Sequence, residues 1–237
     1  MESMTSIRSE RFEIAFNKIH LELKKMVKNE TPQFRNLVYK GAKKFSLIKT
    51  HQEELHQFAR LRNAIVHNKY DLGQYIAEPH AETVKRIEAI SDIFTKPNEA
   101  LSIATKKVII YNYDDQLATL IHGIHDHSYS QYPIYKDGYC IGLLTAKAIV
   151  RWMASHTLDS KVDFAEAKVG DMFNFEEKHP IAFVSKTANI FEVEEIFADA
   201  HMRKQDLECV VITKTGKRNS KPLGVITPWD LIEIDYV

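Results

Sequence analysis

From Ile7 to Val27 the apolar residues fall mostly three or four apart (Phe12, Phe16, Ile19, Leu23, Val27), the spacing of one face of an α-helix. Thr31-Pro32 opens a second helical pattern, since proline suits a first helical turn. A third runs from His51 to about His67 through Leu55, Phe58, Ala59 and Ile65. A fourth runs from His80 to Phe94 through Val84, Ile87 and Ile90. Only Gly41 and Gly73 fall within residues 1–96, and β-branched runs are absent there, so a helical domain is expected. Past Lys96-Pro97-Asn98 the period shortens. Val108–Tyr111, Tyr132–Tyr135, Cys140–Leu144 and Val210–Ile212 read as short strands with helical patterns between them. The expected division is residues 1–100 and 101–237.

The second part repeats itself. Gly142-Leu143-Leu144-Thr145-Ala146-Lys147-Ala148-Ile149 superimposes on Gly224-Val225-Ile226-Thr227-Pro228-Trp229-Asp230-Leu231. Both are glycine, two apolar residues, threonine and a helix start. Each is preceded by a strand and a turn, and further upstream by a strand and an amphipathic helix, Asp114–His127 in one copy and Asn189–His201 in the other. The order strand, helix, strand, strand, helix therefore occurs twice, at about 103–155 and 181–237, with residues 156–180 as a linker. One copy can bury its sheet against the other.

This repeat resembles the tandem cystathionine β-synthase (CBS) domain pair, or Bateman module, over about residues 103–235, most specifically at Gly224–Asp230. The resemblance implies an adenosyl ligand (AMP, ATP, adenosine or S-adenosylmethionine) in a cleft between the copies. Thr227 and Asp230 would hold its ribose hydroxyls, and a carboxylate is suited to accept from both hydroxyls of a cis-diol. Val225, Ile226, Ile109, Tyr129 and Ser130 would complete that site. The other copy keeps Thr145 but has Ala148 where the carboxylate is expected, so one complete cleft is anticipated.

Charge adds a second candidate. The chain is neutral overall, with 32 basic and 32 acidic residues. Residues 1–100 nevertheless carry 17 basic against 13 acidic, leaving 15 against 19 for the rest. Lys24–Lys49 holds eight basic residues against Glu30 alone, a stretch able to neutralise phosphates. Downstream lies Arg62-Asn63-Ala64-Ile65-Val66-His67, at the end of the third helical pattern. It resembles the R-x4-6-H signature of the HEPN superfamily (higher eukaryotes and prokaryotes nucleotide-binding domains), which favours a polar residue such as Asn63 after the arginine. That resemblance implies a small, often dimeric, all-α bundle, and in many members a metal-independent endoribonuclease. Arg62, Asn63 and His67 would then be catalytic: His67 transfers a proton, Arg62 grips the scissile phosphate, and Asn63 orients one or the other. Cleavage needs an acid and a base, and a homodimer would supply two histidines. Arg151…His156 has the same spacing by chance, with Trp152 in place of the polar residue.

Several classes drop out. No apolar run approaches the roughly 20 residues of a membrane span, and the charged N-terminus is unlike a secretion signal. Cys140 and Cys209 form no CxxC, consistent with free thiols in a cytoplasmic protein. No P-loop, GxGxxG or GxSxG is present. His122, His125 and His127 cluster without a neighbouring Cys or Glu, so no metal is assigned. Lys214–Lys221 reads as a solvated hairpin loop. The expected fold class is α+β, a HEPN-like helical bundle followed by two βαββα repeats. The expected function is RNA cleavage regulated by an adenosyl ligand, with no cofactor needed for catalysis. The alternative is a non-catalytic adenine-nucleotide sensor or dimerisation scaffold whose helical domain binds nucleic acid or a partner protein.

Overall fold

The computed structural model describes residues 8–28, 33–67, 75, 77–127, 129–158, 161–176 and 181–232, without the side chains of His67 and Asn174. The expected helix start at Thr31-Pro32 lies outside these residues. Two compact units result. One takes the described residues of Met1–Asn98 and Asn189–Glu195, the other those of Glu99–Ala188 and Ile196–Ile234.

The first unit is built on α1 (Arg8–Val27), α2 (Phe34–Gly41), α3 (Ser46–Thr50), α4 (Gln52–His67) and α5 (Ala81–Thr95). α1 packs on α2, α4 and α5 through the stripe that its spacing predicts, and Phe12, Ile19 and Leu23 are fully buried. Phe12 meets Phe58 of α4 edge-to-face, with ring centres 5.9 Å apart. α5 supplies Val84, Ile87, Ile90 and Phe94 to the same core. Charged pairs tie the helices outside it. Arg11 donates twice to Glu88, at 2.9 and 2.6 Å. Arg86 Nε donates to Glu54 Oε1 at 2.7 Å and Arg86 Nη2 to Glu54 Oε2 at 3.0 Å. Buried His51 lies 2.8 Å from the same carboxylate through Nδ1. The short α3 was not anticipated from the apolar spacing, being too brief to show a period.

The second unit holds two three-stranded sheets. β1 (Tyr111–Asn112), β2 (Gln131–Lys136) and β3 (Tyr139–Thr145) form one, in that order. β4 (Ile181–Ser185), β5 (Cys209–Thr213) and β6 (Pro222–Ile226) form the other. In each, the first strand pairs parallel with the second and the second antiparallel with the third. Each hairpin also slips its register at the same place, just past Ile134↔Gly142 in one and Ile212↔Gly224 in the other. The helices follow the expected order: α6 (Leu117–His127), α7 (Ala146–Ser155), α8 (Ile190–Met202, of which only Ile196 onward belongs to this unit) and α9 (Pro228–Ile232). A 3-10 turn, Val169–Phe175, occupies part of the segment expected to be linker.

β1 is shorter than the apolar run suggested. Only Tyr111 and Asn112 find partners on β2, leaving Val108–Ile110 outside the ladder. The copies are stitched together by backbone. Thr105 and Val225 exchange both backbone hydrogen bonds, at 3.0 and 3.1 Å. The approach is close: a Cβ on Gly224 would stand 2.9 Å from Ala104 Cβ and 3.2 Å from Leu101 Cδ1. Only glycine fits there without displacing a neighbour. Cys140 N–H donates to the Arg218 carbonyl at 2.9 Å. Between the sheets, Tyr135, Cys140 and Leu143 pack with Ile181, Cys209 and Val211 in one apolar cluster.

Arg86, with His51 adding to it, holds the Glu54 carboxyl down to about 2 from an ordinary 4.5, against the opposing cost of partial burial. A carboxyl with a depressed folded-state value adds stability that is complete above about pH 4.5 and is lost as pH falls to about 2. Glu54→Gln should therefore destabilise the full chain by about 1 kcal/mol at neutral pH, the scale of a partly exposed ion pair. Denaturant midpoints measured across pH should show the gap to wild type closing over that acid window. An unchanged gap at its acid end would mean that charge is not the cause.

Candidate functional site

Where β6 runs into α9, Thr227 stands at the N-cap, Pro228 fills the first helical position and Asp230 falls three residues after the cap. Asp230 Oδ2 accepts from Thr227 N–H at 2.6 Å and from Thr227 Oγ1 at 2.8 Å. This return of a carboxylate to its own N-cap is half of a capping box, and it fixes the turn. Both bonds use Oδ2, so Oδ1 takes no part in holding the turn.

The matching turn of the first copy, from β3 into α7, reaches the same geometry differently. Ala148 occupies the third helical position and is buried in the core. Thr145 Oγ1 accepts from Ala148 N–H at 3.3 Å. Thr145 N–H and Oγ1 then donate to Glu176 Oε2, at 3.1 and 2.8 Å. Glu176 comes from the end of the 3-10 turn in the segment between the copies.

A cavity of about 330 Å³ opens between the copies within the second unit. Five residues singled out from the sequence line it: Ile109, Tyr129, Ser130, Val225 and Thr227. Two others do not. Ile226 is fully buried, because strand alternation turns it to the face opposite Val225. Asp230 is not part of the lining, and its carboxylate is bonded to Thr227, which is. The sequence reading missed Lys107, Gln131 and exposed Trp229 on the cavity wall. Trp229 lies inside the Gly224–Asp230 motif itself.

A second cavity of about 270 Å³ lies at the start of α7, lined by Thr145, Lys147, Arg151, Glu176 and Asp206. Ser130, Gln131 and Glu208 line both cavities. Gln131 Nε2 donates to Glu208 Oε2 at 2.7 Å, so one hydrogen bond belongs to the wall that the cavities share.

The CBS domain family matches residues 100–155 and 169–236, together just over half of the chain. The chain belongs to the CBS domain family. Comparison with curated proteins gives no match. Among solved structures the chain is similar to the CBS domain of the bacterial CNNM/CorC family Mg2+ transporter in complex with ATP. That likeness has 17% identity and a TM-score of 0.42, over 62% of this chain and 92% of that one. A hemolysin-like protein containing a CBS domain from Oenococcus oeni PSU shares 16% identity, with a TM-score of 0.41 over 60% and 92%. A hexameric CBS-CP12 protein from bloom-forming cyanobacteria shares 15%, with a TM-score of 0.43 over 58% and 68%.

Outside the CBS pair, Arg62 is half-buried and Asn63 exposed on α4, and His67 is the last residue of that helix. The side chain of His67 lies outside the described residues. Positions 62 and 67 are about 140° apart around a continuous helix, whereas 63 and 67 are within about 40°. Within the CBS pair, His156 of the chance match has a structural part. Its ring stacks on Trp152 at 4.5 Å, and its Nδ1 lies 3.0 Å from the Trp152 carbonyl oxygen. His122, His125 and His127 are exposed, and no three His, Cys, Asp or Glu residues among those described form a group able to hold a metal. No helix among the described residues is long and apolar enough to cross a membrane.

Burial in the seam of the CBS pair pushes the thiol of Cys140 up to about 11 and that of Cys209 up to about 12. Neither supplies appreciable thiolate near neutral pH. A thiol-specific reagent should therefore leave both cysteines unmodified in the native protein and label both on unfolding, as counted by mass spectrometry. Rapid native labelling would show that the seam opens.

Proposed function

We propose that the CBS pair is a sensor for an adenosyl ligand, AMP, ATP, adenosine or S-adenosylmethionine, whose occupancy is passed on to the helical domain of residues 1–100. The observation that carries this reading is the Thr227 side chain on the wall of the 330 Å³ cavity, its hydroxyl bonded to the Asp230 carboxylate. That volume falls in the usual range for small-molecule sites, roughly 300–1,000 Å³. The Thr227 hydroxyl and the carboxylate bonded to it form a polar pole for a ribose cis-diol, with Asp230 Oδ1 as the acceptor not committed to the turn. Tyr129 and Trp229 offer flat faces to a base, and Lys107 offers a cation to a phosphate. The protein on this reading is a cytoplasmic homodimer. Titration calorimetry with the four ligands should give binding by at least one of them. Asp230→Asn keeps an oxygen to accept from Thr227 and should weaken binding at this cleft about tenfold or more, the scale of one hydrogen bond to a charged group. No heat from any of the four ligands overturns the reading.

The helical domain is read as the effector, an HEPN-like endoribonuclease. Supporting this, Asn63 is exposed and shares a helix face with position 67 at the end of α4, while Lys24, Lys40, Lys43 and Lys49 of the same unit are exposed. The ribose 2′-OH of the substrate attacks the adjacent phosphorus and the P–O5′ bond breaks. A 2′,3′-cyclic phosphate and a 5′-hydroxyl are left. One histidine takes the 2′-OH proton, and its counterpart in a dimer protonates the leaving oxygen. Arg62 holds the non-bridging oxygens bidentately. Cleavage in EDTA should persist, and His67→Ala should slow it by about 10²–10⁴. Replacing His156, the histidine of the chance match, should leave it unchanged. A His67→Ala protein that cuts like wild type overturns this chemistry, and a wild-type protein that cuts no RNA favours a non-catalytic scaffold.

A further inference from the structure

The two turns that open α7 and α9 make the same two hydrogen bonds to a carboxylate, yet the carboxylates come from different places. In the second copy it belongs to the helix itself, at Asp230, 2.6 and 2.8 Å from Thr227 N and Oγ1. In the first copy the helix offers only the methyl of Ala148, and the carboxylate arrives from 31 residues downstream, at Glu176, 3.1 and 2.8 Å from Thr145 N and Oγ1. In both cases a single oxygen takes both bonds. Glu176 is thus the spatial counterpart of Asp230, although the position equivalent to Asp230 in the chain is apolar.

Glu176 also lines the 270 Å³ cavity, together with Thr145, Lys147 and Arg151. This cavity therefore has the same polar pole as its neighbour: a threonine hydroxyl oriented by a carboxylate that keeps its other oxygen out of the turn. Lys147 and Arg151 bring cations to the same lining, and Asp206 and Glu208 bring further carboxylates. Such a mixed lining suits a ribose that carries a charged group better than it suits an apolar ligand. We infer that the cavity at the start of α7 is a second ribonucleoside site, in which Glu176, supplied by the segment between the CBS repeats, holds the cis-diol of the ligand. The inference rests on the reading of Thr227 and Asp230 as a diol-binding pair. It replaces the expectation of one complete cleft per chain.

The test is stoichiometry by calorimetry on the full chain, with adenosine and AMP as probes and 2′-deoxyadenosine as the control lacking one hydroxyl. Wild type should bind two equivalents of adenosine or AMP per chain, and 2′-deoxyadenosine should bind about tenfold or more weakly at both sites. Glu176→Gln retains an oxygen to accept from Thr145, so the turn is preserved. It should remove or weaken one equivalent about tenfold, and Asp230→Asn should do the same to the other. Lys147→Ala distinguishes the probes: it weakens AMP and not adenosine if the phosphate sits on that cation. One equivalent, lost in Asp230→Asn and unaltered in Glu176→Gln, overturns the second site and leaves the first reading standing. One equivalent lost in Glu176→Gln alone overturns the first reading and keeps the second site. No binding of either probe overturns both.

Discussion

A three-stranded sheet with one apolar face is not stable alone in water, and this requirement organises the second unit. Tyr135, Cys140 and Leu143 on one sheet have Ile181, Cys209 and Val211 of the other as their cover. Burying those faces removes apolar surface from water at roughly 25 cal/mol per Å². Once the sheets meet, the ends of their strands converge. The turns after β3 and β6, and the segments before β2 and β5, then border common cavities. The clefts follow from the seam, and the polar residues at their walls need no separate scaffold.

The helix starts show how one constraint can be met in two ways. An α-helix leaves its first N–H groups without intrahelical partners, and a carboxylate near the N-cap is an effective acceptor for that end. Asp230 meets the need locally. Glu176 meets it from the far side of a 3-10 turn, which lets Ala148 be an apolar core residue packed with Ile149 and Trp152. The first copy thus gains a core methyl and depends on the segment between the copies for its cap. That segment is bound in more than one place, since Leu117 N–H donates to the Ala167 carbonyl and Val169 N–H to that of Asp115.

The repeat was legible because its signals are local. Glycine, two apolar residues and threonine recur at the same point of each hairpin, and the helical stripes of α1 and α5 have an unbroken period. What was not legible depends on pairing or on distance along the chain. Val108 and Ile109 are as β-prone as any strand residue, but they lie outside the β1–β2 ladder and line a cavity instead. The motif points to Ile226, but the alternation of a strand assigns it to the side away from Val225. Glu176 has no periodic relation to Thr145, and nothing short of the folded backbone brings the two together.

The exchange of backbone hydrogen bonds between Thr105 and Val225 has a consequence in time rather than in structure. It closes a loop of about 120 residues, and every turn of helix and every hairpin between them is shorter in range. Contacts of such long range form late and slow the search, because chain entropy is lost before they return any energy. The hairpin of β5 and β6 can form from neighbours in sequence, but the outer edge of β6 must wait for a segment made long before it. Until that segment docks, β6 presents unpaired backbone groups, the kind of edge that recruits other chains. Gly224, which admits Ala104 and Leu101 so closely, is therefore a residue on which this long-range closure depends.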